Sequence, residues 1–259
     1  MSKIEFSIEG RVAKITLASA GGNRIDFEMR RQILDLVESV RKSDARVLMI
    51  AGAGTDFCLG GDIREWPDMP LDRLRPAIEV FAHAIDAIER LSIPTVALVQ
   101  GQCAGGGFEL ALGCDFIVAG RSARFIFPEA TLGIMTLQGG AYRLAERIGR
   151  TKALELTMLP RPIEAVELAR WNVVNQVHAD ETLAAAALAF AERLSTVPPQ
   201  LYASTKELLR IWQQHGVGMA GAGLYELSMP LLDDPSVRQA LSAAADRVNA
   251  GLPITEPPP

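Results

Sequence analysis

The sequence predicts an α/β fold built on a mostly parallel sheet. Three observations carry that expectation. Short, continuous apolar runs of strand-forming residues occur at 47–50, 95–99 and 116–118; helix-period stripes lie between them; and glycine-rich segments follow the first two. Strand, helix, strand, helix, strand is the pattern of βαβ units.

Taken in order, the chain opens with a hairpin. Ile4, Phe6 and Ile8 alternate with polar neighbours, Glu9-Gly10 is a turn pair, and Ala13, Ile15 and Leu17 alternate again. After the Gly21-Gly22-Asn23 break the period changes, and Met29, Ile33, Leu36 and Val40 share one helix face. The run 47–50 reads as a strand buried on both faces. A second helix is expected from Pro76, a residue suited to a first helical position, with Ile78, Phe81, Ile85 and Ile88 as its stripe. Strands follow at 95–99 and from Asp115. Beyond about Leu137 helical patterns dominate, as at Leu183, Ala187, Phe190 and Leu194, with one more strand expected at 173–177. Pro198-Pro199 sets off a last helical segment, 200–250, so a core at 1–196 and a helical region at 197–259 are expected. The tail Pro257-Pro258-Pro259 is expected to fray.

Composition narrows the function classes. With 49% hydrophobic and 22% charged residues, collagen-like and disordered chains are excluded. Lys and Arg number 26 against 31 Asp and Glu, a formal net charge of −5. No basic excess exists to release counterions from phosphates, so nucleic acid is not an expected partner. Cys58, Cys103 and Cys114 are odd in number and lack CxxC spacing, which fits neither a disulfide frame nor a zinc ribbon. A reducing, cytoplasmic location is the simplest expectation. No signal-peptide apolar region is visible, and no run reaches the roughly 18 apolar residues of a membrane span, so no membrane association is expected.

Familiar motifs fail one by one. Gly52-Ala53-Gly54 after the 47–50 strand would open a dinucleotide fingerprint, but its third glycine should fall at Phe57. There is no phosphate loop, no H-E-x-x-H and no G-x-S-x-G elbow, and His83, His178 and His215 are scattered. No metal is expected.

Three segments remain: Phe57-Cys58-Leu59-Gly60-Gly61-Asp62-Ile63, Gly101 through Glu109 with its Gly105-Gly106-Gly107 run, and Phe127-Pro128-Glu129-Ala130-Thr131-Leu132-Gly133. Each puts flexible backbone or a carboxylate at a strand end, where open α/β sheets bind ligands. Glycines at 61 and 106 let the main chain approach a ligand and aim N–H groups at it, one from a helix start; two such donors stabilise negative charge growing on a carbonyl oxygen. Ordinary turn glycines would explain either position alone. Three glycines opening a helix are harder to dismiss, because each is destabilising there by ~1 kcal/mol relative to alanine. Glu109 is flanked by Phe108 and Leu110-Ala111-Leu112, so burial should raise its pKa. Glu129 follows Pro128 at another candidate helix start. Either glutamate alone could merely offset a helix dipole. Together they suggest a pair facing one cavity, able to hold a water and move protons in both directions.

These segments, with Cys114-Asp115, Phe125-Ile126, Gly139-Gly140, Arg143-Leu144, Ile148-Gly149 and the stretch 173–177, resemble in order and spacing the crotonase superfamily, in its enoyl-CoA hydratase/isomerase branch. The resemblance implies a ClpP/crotonase-like spiral of βαβ turns, with a C-terminal helical region that builds homotrimers, often paired into hexamers. It implies an acyl-CoA thioester as substrate, with coenzyme A part of that substrate and no separate cofactor. It places the oxyanion hole at Gly61 and Gly106 and the catalytic pair at Glu109, which would activate water, and Glu129, which would protonate the α-carbon. Arg24, Cys58, Leu59, Gly60, Asp62, Ile63, Gly105, Pro128 and Gly133 are the residues it implies around substrate, with Arg64 a further candidate for the CoA phosphates. Two departures stand out. Thr136 and Leu137 occupy positions where hydratases often carry Pro and Gly, and Ala243-Ala244-Ala245-Asp246-Arg247 replaces a Phe-x-x-Lys-Arg pattern. The retained glutamate pair makes hydration of a 2-enoyl-CoA the expected function. Double-bond isomerisation, hydrolysis or decarboxylation of related thioesters, or a non-catalytic acyl-CoA or RNA-binding role, are the alternatives.

Overall fold

The structure, a computed structural model, describes residues 3–64 and 66–254. The triple-proline tail lies outside them. Two compact units divide the chain, Met1–Thr196 and Val197–Pro259.

In the first unit a six-stranded sheet has the order β1-β2-β3-β4-β6-β9, with β1 (Ile4–Glu9) antiparallel to β2 (Val12–Leu17) and β3 (Val47–Gly52), β4 (Thr95–Val99), β6 (Phe116–Gly120) and β9 (Gln176–His178) following in parallel. A smaller sheet joins β5 (Gln102–Ala104), β7 (Arg124–Ile126) and β8 (Ile163–Glu164). The period-two alternation of the parallel strands sends their apolar side chains to both faces. Ile15, Ile50, Ala97 and Ile117 share a core with α1 (Phe27–Arg41), α2 (Leu71–Glu89) and α3 (Gly106–Leu112). Val47, Met49, Val96 and Val118 pack on the other face against Leu183, Ala187 and Ala191. The short helices α4 (Gly140–Ile148), α5 (Arg150–Met158) and α6 (Ala165–Arg170) connect the smaller sheet back to β9, and α7 (Leu183–Ser195) closes the unit. The second unit holds α8 (Pro199–Ser228), broken at Gly216 (φ 77°), and α9 (Pro235–Asn249), capped by Asp234.

Three sequence expectations change. The second helix starts at Leu71 rather than at Pro76, which lies inside it. Near the helix start the missing proline N–H forfeits one hydrogen bond, and the buried stripe Phe81, Ala84, Ile85 and Ile88 holds the rest in place. The strand expected at 173–177 shortens to Gln176–His178, because the N–H groups of Val173 and Val174 both turn to Leu168 O after the positive φ of Asn172. Finally, β1 buries Ile4 but leaves Phe6 and Ile8 exposed, as an edge strand permits.

Candidate active site

The site grows from the ends of β3 and β4. Beyond β3 the segment 58–62 is stitched by its main chain to the stretch that follows β2: Leu59 N–H donates to Gly22 O, Ile25 N–H to Gly60 O and Asp62 N–H to Ile25 O, each at 2.9 Å. On its other side Ala104 N–H donates to Cys58 O, tying the segment to β5. These bonds bring Gly61 beside Gly106, the first residue of α3. A methyl built on Gly106 would lie 3.5 Å from Gly61 N, and one built on Gly60 would lie 2.9 Å from Ala104 O. Among the described residues, neither Gly61 N–H nor Gly106 N–H donates to a protein acceptor. The arrangement therefore offers two adjacent main-chain donors with no side chain between them.

Glu109 sits one turn into α3 and is 1% exposed. Its Oε1 accepts from the N–H groups of Gln138 and Gly140, both at 2.8 Å, while its Oε2 is buried with no protein partner. Burial, reinforced by the charge of Glu129, outweighs the two hydrogen bonds and pushes the Glu109 carboxyl up to about 7. Glu129 opens a 3₁₀ turn, Glu129–Leu132, directly after Pro128. It is half-buried, its pKa is likewise raised by burial, and its Oε2 also has no partner. Gly105 (φ 51°) leaves room for it: a methyl there would come within 2.7 Å of Glu129 Oε1. Two carboxyls that feel each other, each with one unsatisfied oxygen, thus stand close in the chain to the paired donors, Glu109 one turn beyond Gly106 in α3 and Glu129 against Gly105.

A cavity of about 160 Å³ is lined by the paired glycines and by Glu129. Of the residues expected around a ligand, Arg24, Leu59, Gly60, Gly61, Ile63, Gly105, Gly106, Pro128 and Glu129 line it. Glu109, on α3, is not part of that lining and is held from the loop that carries Gln138 and Gly140. Cys58, Asp62 and Gly133 do not line it. Cys58 is fully buried with its Sγ on Asn23 O, and burial raises its thiol to about 12. Asp62 holds Arg64 instead, which lowers its carboxyl to about 2. Gly133 supplies the left-handed cap (φ 72°) of the 3₁₀ turn. Arg24 donates to Leu59 O, so it braces the wall it belongs to. Arg30, Trp66, Phe81, Ile134 and Gln138 also line the cavity, and sequence reasoning passed over them. Leu137, one of the two departures, is part of the wall, and Thr136 Oγ1 accepts from Ala141 N–H at the start of α4. Among the described residues, no group of three or more His, Cys, Asp or Glu is placed to hold a metal ion, and no helix is long and apolar enough to cross a membrane.

The chain is similar to known proteins in sequence and in fold. The family model described as Enoyl-CoA hydratase/isomerase matches residues 7–215. The chain is 33% identical over 181 residues to mevalonyl-coenzyme A hydratase of Aspergillus fumigatus, spanning 70% of this chain and 67% of that one. It is 34% identical over 181 residues to 1,2-epoxyphenylacetyl-CoA isomerase of Escherichia coli, spanning 68% and 69%. The crystal structure of enoyl-CoA hydratase from Bacillus anthracis superposes with a TM-score of 0.88 at 25% identity, over 97% of each chain. The α/β fold with its C-terminal helices is the crotonase fold, and the chain belongs to the enoyl-CoA hydratase/isomerase family.

Proposed function

We propose that the protein is a hydratase that adds water across the C2=C3 bond of a 2-enoyl-CoA thioester. The observation that carries the reading is the carboxylate pair: Glu109, one turn beyond Gly106 in α3, and Glu129, against Gly105, each keep one buried oxygen without a protein partner. The thioester oxygen is taken by those two donors, which makes the β-carbon electrophilic. With its carboxyl at about 7, Glu109 is ionised in part near neutral pH, and in that form it removes a proton from water as the water oxygen bonds to the β-carbon. The π electrons pass to the thioester as an enolate. The α-carbon then takes a proton from Glu129, whose burial favours the protonated form. One proton is gained by the pair and one is given up, so transfer between the two carboxyls resets it.

The exposed apolar side chains of Trp212, Val217 and Tyr225 on α8 support assembly into homotrimers or hexamers through the helical region. Three buried cysteine thiols suit a reducing compartment such as the cytoplasm.

The deciding measurement is hydration of crotonyl-CoA and of longer and cyclic enoyl-CoAs. Wild-type protein is expected to turn over at least one, and Glu109→Gln and Glu129→Gln to lose 10²-fold or more (a rough figure for general acid–base catalysis). Protein that binds CoA esters yet hydrates none of them refutes the reading. An activity that survives Glu109→Gln and dies with Glu129→Gln identifies an isomerase instead.

A further inference from the structure

One wall of the cavity is built around a charge that the proposed chemistry does not use. Arg30 projects from α1 and is 1% exposed. Its Nη1 donates to Ala77 O at 3.1 Å, while its Nε–H is buried with no partner. The guanidinium carbon lies 4.7 Å from the centre of the Phe27 ring and 5.4 Å from that of Trp66. Its Nη2 comes within 3.2 Å of where a methyl on Gly61 would stand. No carboxylate among the described residues pairs with it. Asp26 and Asp62 act on it only through space, and each is held elsewhere, Asp26 by Lys3 and the Met29 N–H, Asp62 by Arg64. Burial accordingly lowers the Arg30 guanidinium to about 10.

A second orphan lies next to it. The Trp66 indole Nε1–H is buried without a partner and belongs to the same wall. Buried donors are normally satisfied, and a buried cation without a counter-ion is strongly unfavourable. Methionine or leucine would fill such a position without that penalty. Two unmet donors on one wall, one of them cationic, call for an anionic acceptor arriving with the ligand. A planar guanidinium matches a carboxylate in a two-point contact, which a neutral carbonyl or hydroxyl could meet only in part.

We propose that the acyl group of the substrate carries a carboxylate, which Arg30 receives with help from the Trp66 N–H, so that the enzyme acts on the CoA monothioester of a short dicarboxylic acid. This rests on the acyl-CoA reading of the site and names its substrate class. The cavity volume of about 160 Å³ suits a short chain.

The test is binding of two saturated five-carbon thioesters that cannot be hydrated, glutaryl-CoA and pentanoyl-CoA, by calorimetry on the full-length protein. Wild type is expected to bind glutaryl-CoA at least tenfold more tightly. Arg30→Met is expected to erase or invert that preference, Arg30→Lys to keep part of it, and Trp66→Phe to reduce it severalfold. The wild-type ratio is informative even where a variant fails to fold. Equal affinity of wild type for the two ligands overturns the proposal. So does an equal loss on both in Arg30→Met, which would set Arg30 against the shared CoA portion. Binding of both without preference leaves the acyl-CoA reading standing and removes only this inference, whereas binding of neither removes both.

Discussion

Arg143 Nη1 donates to Gln138 O at 2.5 Å, and the N–H of that same Gln138 donates to Glu109 Oε1 at 2.8 Å. The guanidinium is 2% exposed and its Nη2 is anchored by Asp86 at 2.6 Å and Glu89 at 2.9 Å, both on α2. A carboxylate of the proposed catalytic pair is thus held in place, through the backbone of Gln138, by an ion-pair network from another helix. Arg143→Met should lower kcat about tenfold, equivalent to ~1.4 kcal/mol, with KM changed far less, because Glu109 loses its fixed orientation and the thioester donors do not. Stability should fall by about 1–3 kcal/mol in urea unfolding, since the freed Gln138 carbonyl is buried and Asp86 and Glu89 can rehydrate. Arg143→Lys should recover part of kcat. A KM increase with unchanged kcat would contradict the positioning role.

Gly106→Ala separates folding from chemistry. The added methyl would meet Phe81 Cε1 at 3.2 Å, Gly61 N at 3.5 Å and Gln138 Oε1 at 3.6 Å, contacts that a few tenths of an ångström of movement relieve. The melting temperature should therefore stay near wild type. The methyl nevertheless stands beside the paired N–H groups, and kcat/KM should drop by roughly 10²-fold or more, as expected for an obstructed oxyanion donor. Full activity with a folded variant would remove Gly61 and Gly106 from that role.

The raised Glu109 pKa has a signed consequence for stability. Its folded value of about 7 exceeds the ordinary 4.5, so the folded state binds the proton more tightly than the unfolded state does. The wild-type protein should lose stability as pH rises from about 4.5 to about 7, and the loss should level off above that range. Glu109→Gln keeps an acceptor for the Gln138 and Gly140 N–H groups and carries no charge. It should therefore gain on wild type across that window, by an amount on the order of 3 kcal/mol once complete, at about 1.4 kcal/mol per pKa unit. Thermal melts of both proteins at pH 5, 6, 7 and 8 measure it. A constant difference across the series would show that Glu109 titrates normally.

The cysteines give a check on packing that is independent of function. Cys58, Cys103 and Cys114 are buried, and burial raises the thiols of Cys58 and Cys103. A thiol reagent should label none of the three in native protein and all three in denaturant. Rapid native labelling of one would show that its surroundings open.

Much of the site was legible because its chemistry is local in sequence. Gly61 and Gly106 stand at strand ends within glycine runs, and Glu109 and Glu129 lie within a few residues of Gly105 and Pro128. Arg30 was invisible for the opposite reason. It follows Met29 of a buried stripe, where an arginine reads as the solvent-facing neighbour, and its burial depends on Ala77 and Trp66, far along the chain. Gln138 escaped notice because its backbone, not its side chain, reaches Glu109. The error at Pro76 was a local rule overridden by packing: a proline is a good helix start, but the buried face of α2 fixes the helix whichever residue leads it. Cys58 and Asp62 were placed near substrate by their neighbours, and the turn sends their side chains elsewhere.

The stitching of 58–62 to Gly22 and Ile25 is made of peptide groups alone. The part of the protein that would grip a carbonyl oxygen is consequently shaped first by main chain, with the side chains of Arg24 and Cys58 adding bonds to Leu59 O and Asn23 O. The neighbouring side chains of Arg30 and Trp66 can be rewritten while those main-chain bonds stay intact. A library randomised at Arg30 and Trp66, with Phe81 of the buried α2 stripe kept, should yield folded proteins whose preferences diverge, and diversification of one scaffold toward many thioesters needs no more than this division of labour.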